Sequence, residues 1–188
     1  MGVVLGGMPL KILNMKQLNQ TQITQAAHIL SDSIPAAWPT LRQALDEIEA
    51  LLIPENTLLA AVDNDEVIGW GGILAPIYNG NVFEIHPLAV RADRRRQGVG
   101  SAIVAALENE ARKQGGLTIY MGADDEKDGG ETSLANVDLY DDLPGKMRDF
   151  FPGTHQSAFY LKLGYRLIGV MPDANGRGKP DLYFGKRL

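Results

Sequence analysis

The sequence predicts a mixed α/β (α+β) domain, with a central mixed sheet of about six to seven strands and flanking helices. Three patterns lead to this class. Short apolar runs separated by tight-turn signals between residues 57 and 90 are typical of an antiparallel meander. The strongest helical pattern, residues 98–114, stands between two strand-like runs, and the right-handed crossover rule makes those two strands parallel. Two more strand-like runs close the chain.

The N-terminal third holds one strand and two amphipathic helices. KILNMK (residues 11–16) predicts the first strand, and helical spacing of apolar residues then continues to about Pro35. Residues 41–52 predict a second helix whose apolar side chains share one face. Residues 1–9 are small and apolar and lack the basic segment of a signal peptide. We expect a flexible or non-native extension there and a single domain over residues 10–188.

Turn and cap signals define the remaining elements. Asn64-Asp65 predicts a tight turn inside the meander, and Gly115-Gly116 ends the long helix. Residues 124–153 are irregular and acidic, and a connection of that length is usually functional or mobile. The predicted strands of the meander are residues 57–63, 66–77 and 81–90, followed after the long helix by strand 117–123, a short helix over 157–164 and strands 165–171 and 181–188.

The composition excludes several classes of function. The chain has 188 residues, is 45% hydrophobic and carries a formal net charge of -5, which argues against nucleic-acid binding and suits a cationic small substrate. It has no cysteine, which excludes disulfides, thiolate metal sites and cysteine nucleophiles. No apolar run approaches the ~20 residues of a membrane span, so we expect no membrane contact and a cytoplasmic location.

Residues 94–101 (RRRQGVGS) combine three arginines with two glycines at the entrance to the long helix. A helix N-terminus exposes unpaired N–H groups and a partial positive charge, which together bind anions. Gly98 and Gly100 let the backbone approach a phosphate, and Arg95 and Arg96 can add charged hydrogen bonds at the rim. The alternative is an ordinary glycine-bearing loop with solvated arginines, because G-x-G alone is a weak motif. The spacing fits neither a P-loop nor a dinucleotide-binding fingerprint.

Pro87 interrupts the strand FEIHPLAV (residues 83–90). Proline cannot donate to a strand ladder, so we expect a bulge there, and bulges often adjoin active sites. A bulge would splay this strand from its parallel partner, residues 117–123. Backbone groups from Leu88 to Val90 would then be free to bond a linear amide-bearing ligand, as in strand addition.

Three side chains are candidates for proton transfer. Glu84 and His86 alternate onto one face of the strand beside the break, where either could act as a general base. A solvated glutamate and a packed histidine are the alternatives. Tyr160, one turn before Gly164, could donate a proton to a leaving group, although such a tyrosine is usually a core residue.

The irregular stretch concentrates negative charge. Asp124 and Asp125 directly follow a predicted strand, and Asp138 lies near them in sequence. A run of charges is usually a solvated loop. The alternative is a binding wall for a polycation.

In this order, the segments resemble the GNAT superfamily of N-acetyltransferases. RRRQGVG matches that family's R/Q-x-x-G-x-G/A signature over residues 95–100, and AFYLKLGY matches its second common segment, with the tyrosine at Tyr160. FEIHPLAV, LTIYMGADDE, DLYDD and FYLKLGYRLIGVMPDANGRGKPDLYF resemble aminoglycoside 6'-N-acetyltransferases more closely. The resemblance covers most of the chain from Phe83 onward and is weaker upstream.

The resemblance implies the GNAT fold, acetyl-CoA as cosubstrate, an aminoglycoside acceptor and a homodimer. We expect direct transfer of the acetyl group from the thioester to the 6'-amine, as in a resistance enzyme, without a metal. The residues implied in binding acetyl-CoA, through backbone groups, flanking arginines and the tyrosine, are Leu88, Ala89, Val90, Arg95, Arg96, Gln97, Gly98, Val99, Gly100, Ser101 and Tyr160. The residues proposed for catalysis are Glu84, His86 and Tyr160, and those proposed for the acceptor are Trp38, Tyr78, Glu84, Asp124, Asp125 and Asp138.

Departures from the relatives leave other functions open. Phe83 stands in place of a tryptophan, Ala123 in place of a threonine and Asp173 in place of an asparagine. Several departures lie on the expected acceptor side. The alternatives are acetylation of another amine, such as a polyamine or a peptide N-terminus, a module that binds acetyl-CoA without turnover, and a structural phosphate-binding domain.

Overall fold

The computed structural model describes residues 4–5 and 8–188. The predicted extension, residues 1–9, therefore lies partly outside the described residues. Its described part forms two short antiparallel strands, β1 (Val4–Leu5) and β2 (Met8–Pro9). From there the chain divides into two compact units, one ending at Leu117 and rejoined by Leu188, the other spanning Thr118–Arg187. The single domain over residues 10–188 stays a prediction.

The first unit is a four-stranded antiparallel sheet with three helices. Its strands pair in the order β3-β4-β5-β6, and Asn64 and Asp65 turn the chain between β4 and β5 with positive φ angles, as predicted. Two short 3-10 turns precede α1 and α3. The bounds are β3 Lys11–Asn14, α1 Gln20–Ser33, α2 Leu41–Leu51, β4 Thr57–Asp63, β5 Glu66–Ile73, β6 Val82–Val90 and α3 Val99–Lys113.

Local sequence fixes where the three helices begin. Asn19 and Gln22 form a reciprocal capping box at α1, and the Thr40 hydroxyl accepts from the Gln43 N–H at the start of α2. The long helix α3 begins differently, because Gly98 precedes it in the left-handed conformation with φ 86° and offers no side chain as a cap. The first N–H groups of α3 are therefore left for another acceptor.

Strands β4 and β5 are buried along almost their whole length, so both faces of this sheet are covered. On one face, the Trp70 indole is fully buried and donates to the Ala26 carbonyl of α1 at 2.8 Å. On the other, α3 packs closely because a Cβ at Gly69 would lie 3.2 Å from Ile103. The buried stripe of α3 comprises Val99, Ile103, Val104, Leu107, Glu108 and Ala111, whereas Ala106 is partly exposed.

The second unit is a three-stranded antiparallel sheet in the order β7-β9-β8. Residues 125–142 contain no helix or strand, and Asp142 then caps a short helix that the sequence had not indicated. Gly164, with φ 87°, ends the helix that carries Tyr160. The bounds are β7 Thr118–Asp124, α4 Leu143–Arg148, α5 Ser157–Lys162, β8 Arg166–Met171 and β9 Asp181–Arg187.

The predicted mixed α/β class is confirmed, and each helix and strand proposed from the sequence is present near its expected bounds. The two strands proposed as parallel partners are β6 and β7, one in each unit.

Gly72→Ala should destabilise the first unit. A Cβ at Gly72 would overlap the Leu58 side chain and lie 2.8 Å from the His86 carbonyl oxygen. Overpacking of this kind costs roughly 1–3 kcal/mol. Thermal unfolding followed by circular dichroism should show a lower midpoint. The control is Gly169→Ala, whose Cβ would make an ordinary 3.7 Å contact with Tyr183. Equal midpoints for the two variants would contradict the close packing at Gly72.

Candidate functional site

Strand β6 carries the predicted bulge. Its register with β5 runs from Gly71 opposite Leu88 to Ile73 opposite Ile85, so two steps along β5 match three along β6. The extra residue falls at His86-Pro87, whose peptide bond is cis. The prediction of a bulge at Pro87 is confirmed.

The alternation of the ladder determines which backbone groups of β6 face a ligand. The Arg91 N–H donates to the Ile68 carbonyl at 3.0 Å, so by alternation the groups of Ala89 also face β5. The backbone N–H and carbonyl of Leu88, and the N–H of Val90, point away from β5. The backbone groups of Ala89, one of the residues assigned to acetyl-CoA, are therefore directed into the sheet.

Two arginines of the loop before α3 hold the loop itself. Arg91 bonds Asp93 at 2.8 Å and Glu66 at 3.0 Å, and Arg94 pairs with Asp63 at 3.2 Å. The hydrogen bond from Arg91 lowers the pKa of the Asp93 carboxyl. These contacts tie the loop to the β4–β5 hairpin, so neither arginine is available for a ligand.

Arg95, proposed to bind phosphate, braces β6 instead. Its guanidinium donates to the Val90 carbonyl and to the Ser33 hydroxyl, each at 3.0 Å. This occupies the Val90 carbonyl that the sequence had suggested for a ligand. Arg96 has φ 60° and is exposed, and within the described chain no hydrogen bond or ion pair of its side chain is recorded. Of the two arginines proposed for phosphate, only Arg96 therefore has a side chain that is not already bonded within the described chain.

The N-terminus of α3 offers a row of backbone donors. The Ala102 N–H makes the first bond of the helix, to the Gly98 carbonyl at 3.0 Å. The three preceding N–H groups, those of Val99, Gly100 and Ser101, therefore have no partner within the helix. The Gln97 side chain donates to the Asp93 carbonyl at 2.8 Å, which fixes the turn before them. This geometry suits an anion approaching along the helix axis.

A cluster of side chains lies beside the bulge. Glu84 and His86 are two residues apart on β6, and both are partly exposed on the face opposite buried Phe83, as the sequence predicted. The Trp38 ring centroid is 5.9 Å from that of His86. Glu47 of α2 contacts both rings, with its carboxylate 3.4 Å from His86 Nε2 and 3.3 Å from Trp38 Nε1. Helical periodicity alone had given no signal for Glu47.

Tyr78 lies elsewhere in the first unit, in the connection between β5 and β6. Its side chain is 75% exposed and its φ is 51°. Among the described residues, the Tyr78 ring packs against no other aromatic ring, so it does not form part of the cluster around Trp38.

In the second unit, Tyr160 packs in an aromatic group. Its ring meets those of Phe159 and Tyr165 edge to face, at centroid distances of 5.0 and 5.5 Å. Burial raises the pKa of the Tyr160 hydroxyl well above its usual range. The hydroxyl therefore stays neutral at physiological pH and can serve as a hydrogen-bond donor.

The structure gives Asp125 a different role from the predicted one. It is fully buried, and its carboxylate accepts from the N–H groups of Glu131 at 2.9 Å and Thr132 at 2.8 Å. Those bonds fold the loop after β7. The assignment of Asp125 to substrate is corrected, because its side chain is enclosed and already occupied.

Asp124 and Asp138 remain exposed. Asp124 accepts from the Asn175 side chain at 2.6 Å, and Asp138 accepts from the Tyr140 N–H at 3.0 Å. The structure also adds a carboxylate that the sequence had not indicated, because Asp181 stands directly opposite Asp124 in the β7–β9 ladder. The Oδ1 atom of Asp181 is buried without a hydrogen-bond partner in the described chain. Burial raises the pKa of Asp181, and the charge of Asp124 adds to that rise.

Comparison with known proteins places this geometry in one family. The model of the Acetyltransferase (GNAT) family matches residues 23–134. A crystal structure of an aminoglycoside 6'-N-acetyltransferase complexed with coenzyme A is 35% identical, covering 94% of this chain and 96% of that chain with a TM-score of 0.84. This chain belongs to the GNAT acetyltransferase family.

Other solved structures agree. The aminoglycoside 6'-N-acetyltransferase from Enterococcus faecium is 35% identical, with the same coverage and a TM-score of 0.85. An aminoglycoside 6'-acetyltransferase of type Ii is 31% identical, covering 94% of this chain and 96% of that chain with a TM-score of 0.72. No match was found among curated protein sequences. The GNAT fold expected from the resemblance is confirmed.

In this GNAT acetyltransferase, the described residues contain no helix long and apolar enough to cross a bilayer. Nor do they bring together three or more histidine, aspartate or glutamate side chains that could hold a metal ion.

Asp181→Asn should stabilise the protein at neutral pH. The folded-state pKa of Asp181 is raised, so its carboxyl favours the folded state below the unfolded pKa, and that contribution is lost as pH rises through the folded value. The asparagine amide removes the negative charge that the Asp124 carboxylate repels. The gain in thermal midpoint should be largest at pH 7 and vanish below about pH 3.9, the unfolded value.

Asp32→Asn, at an exposed position of α1, changes the net charge by the same amount and serves as the control. A gain for Asp181→Asn that persisted unchanged at pH 3 would show that burial of the charge is not its cause.

Proposed function

We propose that this GNAT acetyltransferase transfers the acetyl group of acetyl-CoA directly to the 6'-amine of an aminoglycoside, as a cytoplasmic resistance enzyme. The observation that carries the proposal is the 35% identity, over 94% of the chain, to aminoglycoside 6'-N-acetyltransferases. The proposed homodimer stays a prediction, which light scattering after size-exclusion chromatography would test.

The first unit has donors that fit acetyl-CoA. The outward groups of Leu88 and the N–H of Val90 can pair with the amides of a pantetheine arm, as an added strand would. The unpaired N–H groups from Val99 to Ser101 fit a pyrophosphate, and Arg96 adds charge at the rim. Acetyl-CoA supplies the acyl group as a thioester.

The neighbouring side chains supply the proton transfers. A protonated amine cannot attack, so Glu84, directly or through water and with His86 beside it, takes the amine proton. The C–N bond then forms as the C–S bond breaks. The N–H of Leu88 or Val90 stabilises the charge that develops on the carbonyl oxygen. The N–H of Ala89 is excluded from this role, because it faces β5.

Tyr160 stabilises the departing thiolate. Because its hydroxyl is buried with a raised pKa, full proton loss would leave a buried phenolate at high cost. We therefore assign Tyr160 as a hydrogen-bond donor to the sulfur. The proton that converts the thiolate to the free thiol of CoA then comes from solvent.

The acceptor needs negative charge and aromatic surface. Asp124, with Asp181 opposite it, and Asp138 are the carboxylates that we assign to the other ammonium groups of an aminoglycoside. Trp38 and Tyr78 would face the sugar rings.

A thiol-release assay tests the acceptor. Acetyl-CoA is supplied with pairs of aminoglycosides that differ only in a 6'-amine or a 6'-hydroxyl, and with polyamines alongside. We expect turnover only with the 6'-amine members. Turnover with polyamines but not aminoglycosides would reject the acceptor. Acetyl-CoA binding without turnover on any amine would reject the enzyme assignment.

Glu84→Gln and Tyr160→Phe should each lower kcat by roughly 10²-fold, with acetyl-CoA binding retained. This is the lower range for loss of a general base and for loss of a transition-state hydrogen-bond donor. Isothermal titration with acetyl-CoA provides the control for folding and cosubstrate affinity. Full turnover by both variants would refute the two assignments.

A further inference from the structure

Glu47 joins two candidate acceptor-site rings through one carboxylate. It lies on α2, while Trp38 lies in the connection before α2 and His86 lies on β6. One carboxylate oxygen is 3.4 Å from His86 Nε2, and the other accepts from Trp38 Nε1 at 3.3 Å. The two rings are tilted by 58° at a centroid distance of 5.9 Å. A single side chain thus fixes the orientation of two rings from different segments.

The placement of Glu47 differs from that of its charged neighbours on the same helix. Arg42 and Asp46 pair with each other at 2.9 Å on the exposed side, and Glu49 is exposed. The Glu47 side chain is only 27% exposed, at the edge of the face where Ile48 is buried. Among the described residues, no lysine or arginine pairs with it. Its partial burial is therefore compensated by the N–H of Trp38, which donates to it, and by the nearby His86 ring.

The position of Glu47 favours one tautomer of His86. A carboxylate attracts an N–H group and repels a lone pair, so with Glu47 3.4 Å from Nε2 the neutral imidazole favours the proton on Nε2. The other nitrogen, Nδ1, then carries the lone pair. That nitrogen is the only one through which neutral His86 can take a proton from an amine or a water.

We propose that Glu47 is a positioning residue for the acceptor site. It holds His86 in the Nε2–H tautomer, with Nδ1 as the proton acceptor, and holds the Trp38 ring where an ammonium-bearing sugar can pack on its face. It touches neither reactant. The inference rests on the proposed function, since it assigns these rings to the acceptor.

The test compares Glu47→Gln with wild type by NMR. A glutamine amide has one acceptor oxygen, so it can satisfy only one of the two ring donors. If the oxygen faces Trp38, the amide NH₂ faces His86 and moves the imidazole proton to Nδ1. If the oxygen faces His86, the Trp38 indole N–H loses its acceptor. We expect one of these two signals to change.

The chain provides internal references for both signals. It has three histidines and two tryptophans, so the resonances can be assigned by single substitutions. The Trp70 indole, bonded to Ala26 at 2.8 Å, should not move. Glu49→Gln, on the exposed side of the same helix, is the matched control and should change neither ring. A Glu47→Gln spectrum with both the His86 tautomer and the Trp38 indole signal unchanged would overturn the proposal.

Kinetics complete the test. Glu47→Gln should lower kcat by roughly tenfold to a hundredfold, as does loss of the residue that orients a metal-bound histidine, with an unchanged KM for acetyl-CoA. The loss should be smaller when His86→Gln is already present, because one of the two rings is then gone. An equal loss in Glu49→Gln would overturn the assignment. If wild type acetylated no aminoglycoside, the proposed function would fail, while the NMR result would still decide the positioning role.

Discussion

The ladder between β5 and β6 sets the geometry on which the first unit depends. Two residue steps along β5 are matched by three along β6 around His86-Pro87. The direction in which successive backbone groups of β6 face β5 therefore shifts by one residue there. Before the break, Glu84 is on the partly exposed face, and after it the groups of Leu88 and the N–H of Val90 turn away from β5. Gly72 makes this possible, because a Cβ there would lie 2.8 Å from the His86 carbonyl oxygen. One irregularity thus places the candidate catalytic side chains beside outward-facing backbone donors.

Most of the positive charge before α3 is used to build the site rather than to bind a ligand. Arg91 and Arg94 pair with the carboxylates of Glu66 and Asp63, and Arg95 donates a hydrogen bond to the Val90 carbonyl. Exposed ion pairs contribute only about 0–1 kcal/mol each, so their effect is mainly to fix the loop. The proposed anion site then consists of the N–H groups at the start of α3, and Arg96 is the one arginine of residues 91–96 whose side chain is not bonded to another group of the described chain. The same division holds for the acids, since Asp125 folds a loop while Asp124 stays exposed.

The architecture was largely readable from sequence because its signals are local. Helical periodicity, the Asn64-Asp65 turn and the glycines around α3 each act within a few residues, and each prediction agreed with the structure. The bulge was also readable, because Pro87 has no N–H wherever it is placed. Family resemblance added the activity, which no periodicity contains.

What only the tertiary structure decided is the direction of side chains and the partner that each one finds. Asp124 and Asp125 are adjacent in sequence, but Asp124 is exposed and Asp125 is buried. Successive residues at the end of a strand point to opposite sides, which explains the difference. Asp181 meets Asp124 through a strand register that joins distant segments, and Glu47 meets His86 across a similar separation. Contacts of this kind depend on how helices and strands pack, so no local pattern in the sequence encodes them.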